Sequence, residues 1–173
     1  MNEKTNLRPF QEKDADQLAY LANNKKISDN LRDAFPHPYS KDDALNFIKF
    51  CTNESPLRKF AIEYHNQLVG AIGLAIQDDV YKFNAELGYW LGEPYWGKGI
   101  MPDAIKQIVL YGFNDLNLVR IYSSIFDFNK NSIRVLEKVG FEFEGIGKSA
   151  VYKNKKLCNE CRYAIINTKH ELV

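Results

Sequence analysis

The sequence has few cysteines, almost no excess of charge and no long apolar run. Three of its 173 residues are cysteine, an odd number that fits reduced thiols rather than a disulfide framework. Lysine and arginine number 23 against 22 for aspartate and glutamate, so no field of one sign indicates nucleic acid or a membrane surface. The longest apolar run, "LVGAIGLAI", is far too short to cross a bilayer. A small molecule or a protein is therefore the expected partner.

Targeting segments, repeats and linkers are also missing. The start, "MNEKTNLRPF", lacks the apolar core of a secretory signal, which predicts a cytoplasmic protein. The length and the 45% hydrophobic content predict one domain over residues 1–173. The cysteines of "CNEC", Cys158 and Cys161, have no second pair nearby, so no metal site is predicted.

The first third of the chain has helical spacing. Residues 14–24 carry apolar side chains at helical intervals, and "SKDD" is a capping box ahead of a second apolar stripe. Between them, the two prolines of "DAFPHPYS" predict a stiff loop. That loop carries Phe35, His37 and Tyr39.

The period then changes to that of strands. "KFAIEY", "QLVGAIGLAI" and "NAELGYWLG" predict an antiparallel meander. A helix from Pro102, a strand in "VRIYSSIF", a helix in "NSIRVLEKVGF" and two closing strands follow. The strand–helix–strand unit from Asn84 to Phe126 predicts one parallel pair. The fold is therefore expected to be mixed α/β with a largely antiparallel sheet.

The stretch "EPYWGKGIMPDAI" places two glycines ahead of a helix. Gly97 and Gly99 allow positive φ and an exposed main chain, and Pro102 and Asp103 suit a first helical turn. The unpaired amides of such a helix start are suited to a phosphate, and Lys98 adds a positive charge. A tight turn that binds nothing is the alternative, and this stretch alone leaves it open.

Two longer segments resemble a known family. "ELGYWLGEPYWGKGIMPDAI" and "FNKNSIRVLEKVGFEFEGI" are similar to the two halves of the acetyl-CoA-binding core of the GNAT acetyltransferases, in the right order and separation. From Leu7 to Ile166 the pattern resembles the RimJ and RimL branch, the ribosomal-protein N-terminal acetyltransferases. The resemblance implies a central, mostly antiparallel twisted sheet of about seven strands with a splayed parallel pair, flanked by about four helices.

The resemblance also implies a set of residues for acetyl-CoA. The family pattern for the pyrophosphate loop is Gln or Arg, two residues, Gly, one residue, then Gly or Ala; Trp96 and Met101 depart from it. The amides expected to face the pyrophosphate are those of Gly97, Lys98, Gly99, Ile100 and Met101. The pantetheine is expected against the main chain of Tyr89, Trp90 and Leu91. Asn129 matches the asparagine that bonds pantetheine, and Ser132 follows it; an N-cap and a first-turn residue are their alternative roles.

The expected reaction is transfer of the acetyl group to a primary amine. Glu86, on the strand leading to the cofactor, is the candidate general base, and a solvent-facing strand carboxylate is its alternative role. The tyrosine that many family members use as general acid is replaced by Leu136, so Ser132 is the expected substitute. Side chains expected at the acceptor are Phe35, His37, Tyr39 and Glu160. Cys51 falls in a helical stripe and is expected in the core.

The sequence leaves the acceptor and the assembly open. Candidate partners are acetyl-CoA with a ribosomal or other protein N-terminus, or a small-molecule amine; a monomer and a homodimer fit equally. A catalytically silent acyl-CoA-binding or sensing module is the alternative function, because the loop is altered and the tyrosine is missing. Dinucleotide binding is weaker, since the third glycine of that motif is absent.

Overall fold

A computed structural model describes residues 5–169 of the chain, and this part contains seven strands and five α-helices. The strands are β1 Asn6–Arg8, β2 Lys59–Tyr64, β3 Gln67–Ile76, β4 Asn84–Leu91, β5 Arg120–Phe126, β6 Glu142–Lys153 and β7 Lys156–Ile166. The helices are α1 Ala15–Ala22, α2 Lys25–Ser28, α3 Lys41–Thr52, α4 Ile100–Asn114 and α5 Lys130–Lys138. Short 3₁₀ helices cover Glu12–Asp14, Asp79–Tyr81 and Glu93–Tyr95.

The strands form one sheet in the order β1-β2-β3-β4-β5-β7-β6. The β4–β5 pair is parallel, whereas β1–β2, β2–β3, β5–β7 and β6–β7 are antiparallel. The predicted mixed fold, with about seven strands and one parallel pair, is confirmed. The helix number differs from the prediction of about four because the single turn α2 was not predicted. Its N-cap is Asn24, whose side chain accepts a hydrogen bond from the Lys26 amide.

The chain divides into two compact units. The first comprises Met1–Gly73 and Tyr89–Ala104. In it, the predicted capping box begins α3, because Ser40 Oγ accepts from the Asp43 amide and the Asp43 carboxylate accepts from the Ser40 amide. The apolar stripes of α1 and α3 share a buried cluster with β2 and β3, which includes Leu18, Leu21, Ile48, Ala61 and Leu68. Burial of these stripes is the main stabilising contribution in this unit.

The second unit comprises Leu74–Gly88 and Ile105–Val173. Its fully buried side chains include Leu74, Ile105, Ile108, Leu118, Ile121 and Leu136. Helix α4 begins two residues before the predicted Pro102 and ends at Asn114. Leu116 therefore lies beyond its end. Asn114 is followed by a turn, in which the amides of Asp115 and Leu116 both donate to the Tyr111 carbonyl.

Residues 5–169 include no helix with the length and hydropathy that a membrane span requires.

Candidate active site

Both loop glycines have the positive φ that the sequence predicts. Gly97 has φ +76° and Gly99 has φ +78°, a conformation that side chains with a Cβ rarely adopt. A Cβ built at either position would have no protein atom within 4 Å. Internal packing therefore does not require glycine here. The backbone conformation requires it, and the space beside both residues stays open to a ligand.

Helix α4 begins directly after Gly99. The side chains of Ile100 and Met101 are only 1% and 6% exposed, so both pack into the interior. Methionine at the position where the family pattern has Gly or Ala is thus accommodated away from the loop surface. The amides of a first helical turn have no partner within the helix, and the helix dipole is positive there. Lys98 lies with its Nζ 5.4 Å from the centre of the Tyr95 ring.

Trp96, the other departure from the family pattern, joins this loop to strand β4. Its indole Nε1–H donates to the Leu91 carbonyl at 2.7 Å. The ring is 42% exposed, so the hydrogen bond, more than burial of the ring, fixes the residue. The bond closes a short loop of chain and holds the glycines at the end of the strand.

We expect Trp96→Phe to weaken CoA binding by roughly three- to tenfold, because one hydrogen bond that orders the loop is worth about 1 kcal/mol. Calorimetric titration with CoA measures the change. Tyr95→Phe is the matched control, since it removes only a 3.3 Å bond to Gln67 and keeps the ring beneath Lys98. Unchanged affinity in the Trp96 variant would exclude an anchoring role.

The two edges of β4 have different partners. The Asn84 carbonyl accepts a hydrogen bond from the Gln77 amide, and the Gly92 amide donates to the Val69 carbonyl. The main-chain groups of the even-numbered residues of β4 therefore face β3. Main-chain groups alternate along a strand, so Tyr89 and Leu91 face the opposite edge. The Trp90 carbonyl instead lies so close to Gly70 that a Cβ there would overlap it. Of the three residues predicted at the pantetheine, Tyr89 and Leu91 thus present their main chain to that edge and Trp90 does not.

Strands β4 and β5 are paired only over their first three residues. The last pair in the parallel register is Glu86 with Tyr122. One residue later the Ser123 hydroxyl, 2% exposed, donates to the Leu87 carbonyl at 2.9 Å. A side chain therefore satisfies the buried carbonyl where the backbone ladder stops. This ending corresponds to the predicted splay, and it places the half-buried Glu86 at the last paired position.

Ser123 is a buried polar position at this divergence that was not predicted from the sequence. Its signal is the alternation of β5, in which Ile121, Ser123 and Ile125 are the buried residues. A hydroxyl in the buried phase of a strand needs a hydrogen-bond partner. For Ser123 that partner is a carbonyl of β4, the neighbouring strand, just beyond the last β4–β5 pair.

Asn129 is the N-cap of α5. Its Oδ1 accepts from the Ser132 amide at 3.2 Å, which is the alternative role stated from the sequence. The cap uses the carbonyl oxygen of the side-chain amide, and the Nδ2 group of the same amide is a donor of the kind that a pantetheine carbonyl accepts. Capping and cofactor binding are therefore compatible at this residue. Ser132 is half-buried in the first turn of α5, and Leu136, at the usual tyrosine position, is fully buried.

The predicted acceptor residues have different surroundings. Tyr39 is 7% exposed and belongs to the core cluster of the first unit; burial raises the pKa of its hydroxyl to about 12. Phe35 is half-buried, with its ring centre 5.0 Å from that of Tyr39 and 6.0 Å from that of Trp90. His37 is exposed. Glu160, on β7, lies opposite Phe126 and 3.7 Å from the Arg162 guanidinium.

A second contact found only in the structure fixes the chain ahead of the glycine loop. Glu93 accepts from Asn24 Nδ2 at 2.7 Å and forms an ion pair with Lys26. The hydrogen bonds from Lys26 and Asn24 hold the pKa of the Glu93 carboxyl below its usual value. These contacts hold the segment that precedes the glycine loop against α2 and its N-cap.

The three cysteines are free thiols in different surroundings. Cys51 is 1% exposed, and burial raises its thiol pKa to about 12, so it is protonated at neutral pH and lies in the core as predicted. Cys158 and Cys161 are both free thiols on β7. Among residues 5–169, no three His, Cys, Asp or Glu side chains are grouped so as to hold a metal ion.

A mostly antiparallel sheet whose one parallel pair diverges, with a left-handed glycine loop leading from β4 into a helix, defines a class of acyltransferases that use acyl-CoA. The comparisons with known proteins give the family. The model of the acetyltransferase (GNAT) domain matches residues 4–142. The chain belongs to the GNAT acetyltransferase family.

Individual relatives cover nearly the whole chain. A putative ribosomal N-acetyltransferase of Bacillus subtilis, YdaF, is 27% identical and covers 99% of this chain and 96% of its own. The spermidine N(1)-acetyltransferase of Escherichia coli is 28% identical over 95% of this chain and 87% of its own. The solved structure of RimL, the ribosomal L7/L12 α-N-protein acetyltransferase in complex with coenzyme A, has a TM-score of 0.84 at 23% identity and covers 96% and 95% of the two chains. The fold is that of GNAT enzymes of the RimJ/RimL type, and the chain is an acetyl-CoA-dependent N-acetyltransferase.

Proposed function

We propose that this enzyme moves the acetyl group of acetyl-CoA to a primary amine by direct attack, with a protein N-terminal α-amine or a small-molecule amine as acceptor. The observation that carries the proposal is the pair of positive-φ glycines leading into α4, where a ligand meets main chain without Cβ atoms. Backbone amides at a helix start stabilise a pyrophosphate. The acetyl donor is the pyrophosphate-bearing molecule that the family uses.

The cofactor roles are assigned residue by residue. The amides of Gly97 through Met101 bind the pyrophosphate, and Lys98 supplies a positive charge. The main chain of Tyr89 and Leu91 accepts the pantetheine, with Trp96 holding the Leu91 carbonyl. Asn129 donates from Nδ2 to the pantetheine while its Oδ1 caps α5.

The amine must be neutral before it attacks the thioester carbonyl. An α-amine has a reference pKa near 8, so about a tenth is neutral at pH 7, whereas a lysine amine near 10.4 is almost entirely protonated. Glu86 takes the amine's proton, directly or through water. Strand pairing fixes the backbone of Glu86 at the last paired position of β4, and its side chain is half-buried.

The transfer forms one C–N bond and breaks one C–S bond. The amine nitrogen, made neutral by the loss of one proton to Glu86, adds to the carbonyl carbon and loses a second proton to solvent, and the CoA thiolate departs with the electron pair of the C–S bond. Ser132 donates a proton or a hydrogen bond to that thiolate. Because Leu136 has no hydroxyl, the tyrosine acid of other family members has no counterpart at this position.

We expect Ser132→Ala to lower kcat by about tenfold while raising the KM for acetyl-CoA less, because the hydroxyl acts on charge that develops in the transition state. The α5 cap bond comes from the Ser132 backbone amide, so the substitution leaves the cap in place. Steady-state kinetics with varied acetyl-CoA separates the two constants. A full parental kcat would reduce Ser132 to a structural residue of the first turn.

The acceptor residues and the cellular setting are also proposals. Phe35, His37 and Glu160 are assigned to acceptor binding. Tyr39 is buried, so its role is to shape the loop that carries Phe35 and His37. The relatives named for ribosomal proteins and for spermidine define the two acceptor classes to compare. A single domain, cytoplasmic location and a monomer or homodimer remain predictions.

Turnover distinguishes this proposal from a silent acyl-CoA-binding module. Acetyl-CoA in excess is incubated with the protein and a mixture of peptides, polyamines and amino acids, and free CoA is measured with a thiol reagent. Amine-dependent release of CoA supports acetyl transfer. Tight CoA binding without release in any mixture would favour the sensing module.

A further inference from the structure

The β6–β7 hairpin ends in a basic segment beside the start of α5. We define the hairpin tip as residues 148–157, which include Lys148, Lys153, Lys155 and Lys156 but no aspartate or glutamate. Lys148, Lys155 and Lys156 are exposed, and Lys153 is 7% exposed. In a chain whose net charge is +1, such a segment is a local concentration of positive charge.

The hairpin tip borders a cavity of about 430 Å³, within the range of ligand pockets. The lining residues are Phe128, Lys153, Asn154, Lys156, Leu157 and Cys158. Phe128 and Leu157 are 46% and 68% exposed, so apolar side chains and ammonium groups share one open surface. This combination suits a ligand that carries both apolar groups and carboxylates.

The cavity lies next to the proposed cofactor asparagine, because Phe128 directly precedes Asn129. The hairpin is braced to this corner of the fold. Asn159 on β7 donates from Nδ2 to Asp127 at 2.9 Å, and its Oδ1 accepts from the Ser149 amide at 3.0 Å. The Asp127 amide also donates to the Asn159 carbonyl. The hairpin tip is thus fixed relative to the start of α5.

One lysine of the tip occupies an unfavourable backbone position. The two-residue turn Asn154–Lys155 has φ +50° and +63°, the pattern of a type I′ turn, in which glycine is usual at the second position. Lysine there costs free energy that glycine would not. This turn presents the exposed ammonium group of Lys155 at the end of the hairpin.

We propose that the hairpin tip binds an acidic segment of a polypeptide acceptor, downstream of the amine that is acetylated. The proposal rests on the proposed function and narrows the acceptor class. Carboxylates would be attracted to the lysines and an apolar residue would contact Phe128 and Leu157, whereas a polyamine would be repelled. Nucleic acid fits less well, since it requires a basic surface more extended than this segment.

Two peptides with free N-terminal amines test the proposal: Ala-Gly-Glu-Leu-Glu-Asp and Ala-Gly-Lys-Leu-Lys-Gln. We expect kcat/KM for the acidic peptide to exceed those for the basic peptide and for spermidine by on the order of tenfold at low salt, with a smaller ratio at high salt. The double variant K155E/K156E should abolish or reverse this preference, and K155Q/K156Q should reduce it. Lys49→Glu, which reverses one charge at an exposed position of α3 away from the tip, should preserve it.

Three results would overturn the proposal. The first is an equal rate for the two peptides, and the second is a preference for spermidine. The third is a K155E/K156E variant in which only the KM for acetyl-CoA changes, because that result would assign the lysines to a cofactor phosphate. Fluorescence anisotropy of the C-terminally labelled acidic peptide, with CoA present, tests the surface without turnover. Loss of peptide binding in K155E/K156E supports the surface even if no amine is acetylated, and tighter binding of a labelled single-stranded oligonucleotide than of the peptide contradicts it.

Discussion

Replacing Gly99 with valine is expected to weaken CoA binding by on the order of 100-fold while leaving the fold intact. Two effects combine. A β-branched residue is strained at φ +78°, which displaces the amides of the loop, and the added atoms enter the open space beside them. Each amide bonded to a charged phosphate contributes roughly 1.5–3 kcal/mol, so misplacement of one or two accounts for the loss.

Gly140→Val is the matched control for backbone strain. Gly140 follows α5 with φ +94°, and a Cβ there would also have no atom within 4 Å. Both variants should lose thermal stability by a similar amount, but only the Gly99 variant should lose affinity for CoA. The thermal shift caused by CoA is compared in the two variants and the parent. Equal CoA-induced thermal shifts in all three proteins would contradict the assignment of the pyrophosphate to this loop.

Replacing Glu86 with glutamine is expected to lower activity about 100-fold near neutral pH, the usual contribution of a general base. Glutamine keeps the size and hydrogen bonding of the side chain but cannot accept the proton. The difference from the parent should narrow at high pH, because an amine above its own pKa is neutral without assistance. The affinity for CoA should barely change, since this carboxylate acts on the acceptor.

The rate of CoA release, followed from neutral pH to beyond the acceptor's pKa, measures this effect. Glu142→Gln, at an exposed position of β6, is the control for removal of a strand carboxylate. A Glu86 variant that keeps more than about half of the parental activity at pH 7 would exclude Glu86 as the base. A water chain or substrate self-ionisation would then remain.

The strands of the meander could be predicted from the sequence almost to the residue. Strands β2 and β3 coincide with the predicted segments, because their apolar residues and bounding turns act locally. The α3 capping box was predictable for the same reason, since Ser40 and Asp43 are three residues apart. Helix α2 was missed because it is a single turn. Its Lys26 and the preceding Asn24 contact Glu93, almost 70 residues away in the chain.

The same difference between local and long-range contacts applies to the candidate site. The loop at Gly97 and Gly99 could be predicted from the two glycines and the helix start that follows them, and both residues adopt the positive φ that glycine allows. The bond from Ser123 to Leu87 spans 36 residues and requires knowledge of where the parallel pair diverges. Tyr39 was predicted on a stiff loop because this segment contains two prolines. The structure buries it, because the loop folds back onto α1 and α3 through this side chain.

The central claim is that the acetyl group passes directly from acetyl-CoA to a primary amine. Intact mass spectrometry of both the protein and a peptide acceptor, after incubation with acetyl-CoA, tests it most directly. The account predicts one acetyl group on a peptide with a free N-terminus, none on the same peptide with a blocked N-terminus and no lysine, and unmodified protein at every time point. Acetylated protein that forms without acceptor and then loses its acetyl group to the peptide would contradict direct transfer.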